Sequence, residues 1–169
     1  MHNSERRESV DLGFEEEDIK LAELMIQKVK TTLEFLYFLM LHKKNVSYTV
    51  LLLSADKLKL EHLLTTWKRK TDILVEIDKK SNVYILICQN TDKEGGKKYG
   101  EILISNITMQ NRSKVYCVQT QILNTAYTVQ EVIFTILKKY IHIKSENKHN
   151  EVCFTELKYE EYKDVIYNI

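Results

Sequence analysis

The sequence predicts an α+β fold in which helices cover the faces of a mainly antiparallel central sheet, preceded by a long N-terminal helix. Three observations predict it. Apolar residues recur at helical spacing over residues 18–44. Short apolar runs of strand length then alternate with amphipathic segments. Two of these runs are joined by a short polar linker, which is typical of a β-hairpin.

The composition is that of one globular domain and excludes several classes of protein. The chain has 169 residues, of which 44% are hydrophobic and 29% charged. Twenty-five basic against 24 acidic residues leave a net charge of +1, which disfavours bulk nucleic-acid binding. No apolar run approaches the roughly 20 residues of a membrane helix, so no membrane insertion is expected. The N-terminus has no apolar segment typical of a secretory signal.

The cysteines and histidines predict no metal site, and no cofactor is expected. Cys88, Cys117 and Cys153 are too scattered to form a Cys-x-x-Cys pair. The five histidines, at positions 2, 42, 62, 142 and 149, also lack ligand spacing. Three scattered cysteines suit a reducing compartment, so a cytoplasmic location is expected.

Glycine is scarce, and this disfavours most nucleotide-hydrolysing folds. The chain has four glycines and no proline. Loops that cradle phosphate use glycine so that backbone amides can approach the anion. The single Gly-Gly pair, Gly95-Gly96, belongs to no Walker loop, Gly-x-Gly-x-x-Gly motif or nucleophile elbow.

The charge pattern divides the chain into three parts. Residues 1–18 carry seven acidic and two basic side chains, so residues 1–17 are predicted to be an acidic flexible tail. Residues 18–157 form the folded domain. Residues 158–169 alternate charged and aromatic side chains and form a separate C-terminal segment.

The first helix, over residues 18–44, has two apolar stripes. The first repeats in steps of four and three and comprises Ala22, Ile26, Val29, Leu33, Leu36 and Met40. The second comprises Leu21, Met25, Phe35 and Leu39. Packing on the sheet of the same domain accounts for one stripe. A dimer contact is the alternative use of the other.

The remaining elements follow in order. Strands are predicted at 48–54, 73–77, 83–88, 115–123 and 151–157. Helices are predicted at 57–69, 92–107 and 128–140. The polar linker 78–82 joins the second and third strands as a hairpin turn.

This order of elements, with four local motifs, resembles the GGDEF domain of diguanylate cyclases. The first strand ends Leu-Ser-Ala-Asp-Lys-Leu-Lys (53–59), similar to the family's Asp-Ile-Asp-x-Phe-Lys. The hairpin is entered through Arg-Lys-Thr-Asp-Ile-Leu (69–74), similar to the family's Arg-x-x-Asp. The strand and turn at 84–92 and the helix from residue 94 follow as in the family. The resemblance covers roughly residues 20–157 and implies a nucleotidyl-cyclase-like sheet.

The resemblance also implies that the catalytic parts are missing, and that the chain is not an enzyme. The family holds two divalent metals with a carboxylate of the first strand and an acidic residue of the signature turn. Here Ser54 replaces the first carboxylate of the strand, whereas Asp56 matches the second. The signature Gly-Gly-Asp/Glu-Glu-Phe is replaced by Asp-Lys-Lys-Ser-Asn (78–82), with Tyr84 as the counterpart of the phenylalanine.

One ligand site of the family survives in the sequence. Arg69-x-x-Asp72 matches the inhibitory site that binds cyclic di-GMP. An arginine fork can donate two hydrogen bonds to guanine, and an aspartate can accept from its N–H groups. The family's supporting arginine on the next helix is absent, since that region reads Gly-Glu-Ile-Leu (100–103).

Two functions are therefore predicted. The first is a non-catalytic interaction or scaffold module in signalling, which binds an unknown protein or itself through helix 18–44. The alternative is a cyclic di-GMP receptor that binds through Arg69 and Asp72. The receptor requires these two side chains to be adjacent, exposed and free of internal partners. The interaction module requires an apolar patch or a dimer interface on the first helix.

Overall fold

The computed structural model of the chain describes residues 14–43, 46–110 and 112–158. The elements follow in the order α1 (Glu16–His42), β1 (Tyr48–Ala55), α2 (Leu60–Trp67), β2 (Ile73–Asp78), β3 (Val83–Gln89), α3 (Lys93–Gln110), β4 (Val115–Ile122), α4 (Val129–Ser145) and β5 (Val152–Phe154). This order confirms the predicted α+β fold. Most of the predicted N-terminal tail and of the C-terminal segment 158–169 lies outside the described residues.

The sheet is mixed, with β1 at its centre. Its strand order is β2-β3-β1-β4-β5 over the described residues. β1 runs antiparallel to β3 and β4, so Val50 lies opposite Ile87 on one side and Thr120 on the other. β5 pairs parallel to β4. One end of the sheet therefore gathers the end of β1, the β2–β3 turn and the starts of β4 and β5.

The central position of β1 follows from its composition. All eight of its residues are buried, as expected for a strand covered on both faces. Its side chains alternate between two apolar clusters. Val50 and Leu52 belong to the cluster that includes α1 and α4. Leu51 and Leu53 belong to the cluster that includes α2 and α3. The sheet thus lies between two helical layers.

Helix α1 turns its apolar stripe toward its own domain. Met25, Val29, Leu33 and Leu36 are buried in the cluster shared with the sheet and α4. The stripe predicted at heptad spacing is therefore mostly core, and so is the second predicted stripe, in which Phe35 alone of the four residues is exposed. The helix begins at Glu16, where the Glu15 N–H donates to the Asp18 carboxylate at 2.9 Å. The predicted boundary of the tail at residue 17 falls inside this first turn.

Four predicted elements differ from the structure by three or more residues at one end, and one of them is α3, which continues to Gln110 rather than 107. α2 is Leu60–Trp67 rather than 57–69, because the backbone N–H of Leu60 is capped by the Asn82 side chain. α4 continues to Ser145 rather than 140, because Ile143 extends its buried face. β5 is Val152–Phe154 rather than 151–157. Leu157 leaves the sheet, and its carbonyl accepts a hydrogen bond from the Tyr127 hydroxyl.

Within the described ranges, no helix is both long and apolar enough to span a bilayer.

Candidate functional site

Arg69 and Asp72 meet in the short connection between α2 and β2. The Asp72 carboxylate accepts hydrogen bonds from the Arg69 backbone N–H at 2.9 Å and from Nε at 3.1 Å. Arg69 Nη2 donates to Asp72 Oδ1 at 3.0 Å. The Asp72 N–H donates back to the Arg69 carbonyl at 3.0 Å. This single carboxylate therefore organises the whole turn.

Residues from β3 and α3 complete the surroundings of Arg69. Its Nη2 also donates to the Thr91 hydroxyl at 2.9 Å, and that hydroxyl donates to the Gln89 carbonyl. The guanidinium carbon lies 4.7 Å from the centroid of the Tyr99 ring, in cation–π contact. We name the four side chains Arg69, Asp72, Thr91 and Tyr99 the arginine clasp. It joins the α2–β2 connection to the start of α3.

The electrostatics of the clasp favour a charged pair. The hydrogen bond with Asp72 raises the pKa of Arg69. Burial raises the pKa of the nearby Cys88 thiol to about 12, and the Asp72 charge adds to this effect. Burial also raises the pKa of Tyr99, again with a contribution from Asp72. The thiol and the phenol thus stay neutral beside a carboxylate that is already paired with arginine.

The clasp meets only part of what the receptor hypothesis required. The two side chains are adjacent, as the sequence predicts. However, the Asp72 side chain is 0% exposed and the Arg69 side chain 45% exposed. Both have internal partners, so the requirement for exposed side chains without such partners is not met. The open part of the guanidinium is the surface that a ligand can reach.

The end of β1 is closed by internal hydrogen bonds. Ser54 is buried, and its hydroxyl accepts a hydrogen bond from the Tyr140 hydroxyl of α4 at 2.8 Å. Asp56 follows on the exposed loop after β1. Of the two positions that resemble the family's metal-binding strand, Ser54 therefore carries a hydroxyl that is already hydrogen-bonded, and Asp56 carries a carboxylate that is exposed to solvent.

The hairpin turn is fastened to this loop by Asn82. Its backbone has a φ of 58°, in the left-handed region that asparagine tolerates. Its side-chain amide donates to the carbonyls of Ala55 and Leu58, and its side-chain oxygen accepts from the Leu60 N–H at 3.1 Å. Asn82 therefore fixes the position of the turn relative to the β1–α2 loop.

A cavity of about 310 Å³ lies between this turn and the loop. Its charged and polar lining includes Asp56, Lys59, Glu61, Lys79, Lys80 and Asn82. Divalent metals of nucleotidyl transfer need converging carboxylate oxygens. The donor set here consists of lysine ammonium groups, an amide that already makes three hydrogen bonds, and separate carboxylates. These residues do not fit the family's pair of metals. In the part of the chain that the structure describes, no three His, Cys, Asp or Glu side chains form a metal-binding group.

Three solved structures superimpose on most of the chain. A microbial GGDEF domain, studied in its interaction with bis-(3′,5′)-cyclic di-GMP, superimposes with a TM-score of 0.55 at 7% identity, covering 69% of this chain and 84% of that one. The chain has a GGDEF-like fold. The GGDEF domain of DgcB from Caulobacter crescentus, in complex with c-di-GMP, gives 0.52 at 8% identity over 74% of this chain and 88% of that one. A structure of the coiled coil and GGDEF domain of DgcB, also with c-di-GMP, gives 0.53 at 8% identity over 75% and 80%. No family model and no curated protein matches the sequence.

The sequence predicts Arg69 and Asp72, the two charged members of the arginine clasp, but not the residues that complete it. Thr91 and Tyr99 carry no local signal, because they reach Arg69 only through the fold. Tyr140, the partner of Ser54, lies 86 residues further along the chain. Asn82 did carry a signal, since asparagine at the end of a hairpin turn is typical of a left-handed residue.

Proposed function

We propose that the chain is a signalling module of GGDEF-like fold that acts by protein–protein contact and has no cyclase activity. The observation that carries this proposal is an exposed apolar surface on α1. Phe35, Phe38 and Leu41 are 59%, 56% and 71% exposed. Large apolar side chains clustered on one exposed helix face are typical of an interaction site. The buried free cysteines support placing this module in the reducing cytoplasm.

The end of β1 supports the non-catalytic part of the proposal. The Ser54 hydroxyl is held by Tyr140, and the Asn82 side chain is held by the β1–α2 loop. The position at which the resemblance places a metal-binding carboxylate of the first strand therefore holds a neutral hydroxyl engaged inside the protein. Restoring cyclase chemistry would require at least a new carboxylate at this position.

A second copy of the chain is the partner that the α1 surface fits. Thr31, Phe35, Phe38 and His42 follow one another in steps of four, three and four, which is heptad spacing. The Phe38 and His42 rings already lie 4.4 Å apart between centroids. This seam lies opposite the buried stripe of α1. Two such helices can therefore pair without disturbing the core, burying Phe35 and Phe38 of each copy.

The oligomeric state of the full chain tests this assignment. We expect sedimentation velocity at about 100 µM to show a dimer, a concentration at which weak helix pairs associate. Phe38→Glu is expected to give a monomer whose melting temperature matches that of the wild type at concentrations where the wild type is also monomeric, because Phe38 lies outside both apolar clusters. The matched control is Met109→Glu, which places the same charge at an apolar residue that is 84% exposed on α3.

Two results would contradict the dimer. One is a wild-type chain that stays monomeric at this concentration. The other is a dimer that Phe38→Glu and Met109→Glu weaken equally, because the contact would then lie elsewhere.

The alternative function is a cyclic di-GMP receptor. Two observations favour it: the neighbours from DgcB carry c-di-GMP, and the guanidinium of Arg69 is still partly open to solvent. Binding of a guanine base by Asp72 would require its carboxylate to leave the arginine clasp. A ligand approaching Arg69 alone would lack the second half of the motif.

Calorimetric titration of cyclic di-GMP into the wild-type chain tests the receptor, with GTP as the control ligand. The receptor predicts micromolar binding that is lost in Arg69→Ala and reduced in Arg69→Lys, which keeps the charge but removes the fork. An absence of heat in the wild type would exclude the receptor and leave the α1 surface as the site to pursue.

A further inference from the structure

A second cavity, of about 460 Å³, opens on the other side of β1 from the hairpin turn. It lies where the chain leaves β1 and enters β4 and β5. Its lining consists of Asp56, Lys57, Thr108, Arg112, Ser113, Lys114, His149 and Asn150. This volume is within the range of small-molecule sites, roughly 300–1,000 Å³.

The positive charge of this cavity is only partly compensated. Among its lining residues in the described ranges, three are cationic and only Asp56 is acidic. Lys114 Nζ donates to a neutral partner, the Asn147 side-chain oxygen, at 3.0 Å. Arg112 and Lys57 form no ion pair within the described part of the chain. Three cations that converge on a concave surface attract an anion of more than one charge.

The walls of the cavity are fixed by internal hydrogen bonds. The buried Ser113 hydroxyl accepts from the Lys57 N–H at 3.2 Å. Asn150 adopts a φ of 61° and exchanges two hydrogen bonds with the Val115 backbone, at 2.9 and 2.7 Å. The three segments that form the cavity are therefore tied to one another. A preorganised site loses less entropy when it binds a ligand.

His149 adds an unsatisfied polar atom to this site. Its Nδ1 is buried and has no hydrogen-bond partner among the described residues. The ring lies edge-on to Tyr116, with centroids 6.3 Å apart. A buried nitrogen without a partner costs free energy, and because Nδ1 is closed off from solvent, a ligand in the cavity does not reach it in this conformation.

We propose that this cavity binds the phosphate group of a small phosphorylated molecule. The excess of two positive charges matches a phosphate dianion, and a guanidinium fork fits two phosphate oxygens at once. The Ser113 hydroxyl, which accepts from the Lys57 N–H and keeps its own proton, can donate to a phosphate oxygen. The proposal is independent of the α1 surface and of the arginine clasp, since it shares no residue with either.

Titration of the full chain with AMP, adenosine and inorganic phosphate, monitored by amide chemical shifts, tests the proposal. We expect AMP to bind with a Kd of about 0.1–1 mM, as a few charge-assisted contacts provide. Adenosine is expected not to bind. Arg112→Gln is expected to weaken AMP binding about tenfold. Lys98→Gln, which removes the same charge from an exposed site on α3, is expected to change it less than about twofold.

Comparing the affinities of AMP and inorganic phosphate distinguishes a site for a phosphate ester from a site for the free anion. Inorganic phosphate that binds as tightly as AMP would support a site for the free anion. Tighter binding of AMP would support an organic phosphate ester. The proposal is overturned if neither AMP nor phosphate binds, or if Arg112→Gln and Lys98→Gln have the same effect.

Discussion

At the scale of single residues, Asp72 is the group on which the α2–β2 connection depends. Its buried carboxylate accepts from the Arg69 backbone and side chain, and no water can replace these bonds. We predict that Asp72→Ala lowers the free energy of unfolding by about 2–3 kcal/mol, because Arg69 loses its partner and the turn loses its anchor. The midpoint of urea unfolding, at unchanged slope, measures this loss.

Lys70→Ala is the matched control for Asp72→Ala. Lys70 is exposed in the same turn and is expected to change stability by less than about 0.5 kcal/mol. Equal effects of the two substitutions would show that the turn, rather than the carboxylate, sets the stability.

The sequence allowed the adjacency of Arg69 and Asp72 to be predicted, because a spacing of three residues closes a turn locally, but the receptor hypothesis required both to be free of internal partners and they bind each other. It did not allow the burial of Asp72 to be predicted. That burial depends on Thr91 and Tyr99, which arrive from the far end of β3 and from α3. From the sequence alone, an aspartate in a polar stretch is expected to be exposed, and only the position of α3 shows that Asp72 is buried.

At the scale of elements, the glycines of α3 serve close packing on the sheet rather than a phosphate loop. A Cβ at Gly96 would lie 2.4 Å from Gln119 Nε2 and 2.5 Å from Thr49 Cγ2. We predict that Gly96→Ala destabilises the protein by about 1–3 kcal/mol, although alanine favours a helix by about 1 kcal/mol over glycine. Thermal unfolding measures the change.

Gly95→Ala provides the internal comparison on the same helix. There the Cβ would lie 3.1 Å from the Asp92 carboxylate oxygen that accepts from the Gly95 N–H at 2.7 Å, and this exposed side chain needs to move by only a few tenths of an ångström. We expect this substitution to be close to neutral. If Gly96→Ala were equally neutral, α3 would not be in close contact with the sheet at that point.

The existence and order of the elements were predictable from periodicity, whereas their ends were not. β1 was recognisable because its whole length is apolar. The start of α2 depends on a cap that the Asn82 side chain supplies from the hairpin turn, and the sequence around residue 60 does not predict this contact. The shortness of β5 depends on where Leu157 packs after leaving the sheet.

At the scale of the whole molecule, buried weak acids make the protein sensitive to alkali. Burial raises the pKa of Tyr37, Tyr84 and Cys88 to about 12, from 10.0 for the tyrosines and 9.0 for the thiol. Between these values the unfolded chain holds fewer protons than the folded one, so stability falls as pH rises. We predict full stability below pH 9 and a loss of at least about 1 kcal/mol per pH unit above pH 10. Urea unfolding followed by circular dichroism at each pH measures this loss in the free energy of unfolding.

Tyr37→Phe isolates one contribution to this alkaline loss. The Tyr37 hydroxyl is buried without a hydrogen-bond partner in the described part of the chain, so its removal is expected to be neutral or slightly stabilising at pH 7. The gain relative to wild type should grow as pH rises from 10 toward 12. A constant difference across that range would mean that Tyr37 ionises normally in the folded protein.

The topology also determines what the nascent chain exposes on the ribosome. β1 gains its second neighbour only when β4, at Val115–Ile122, has been made, and α1 packs against α4, at Val129–Ser145. About 100 residues separate the ends of these two helices, which translation at roughly 5–20 residues per second covers in about 5–20 s. For that time the apolar side of α1 lacks its covering helix, and a chaperone or a neighbouring nascent chain can reach it first.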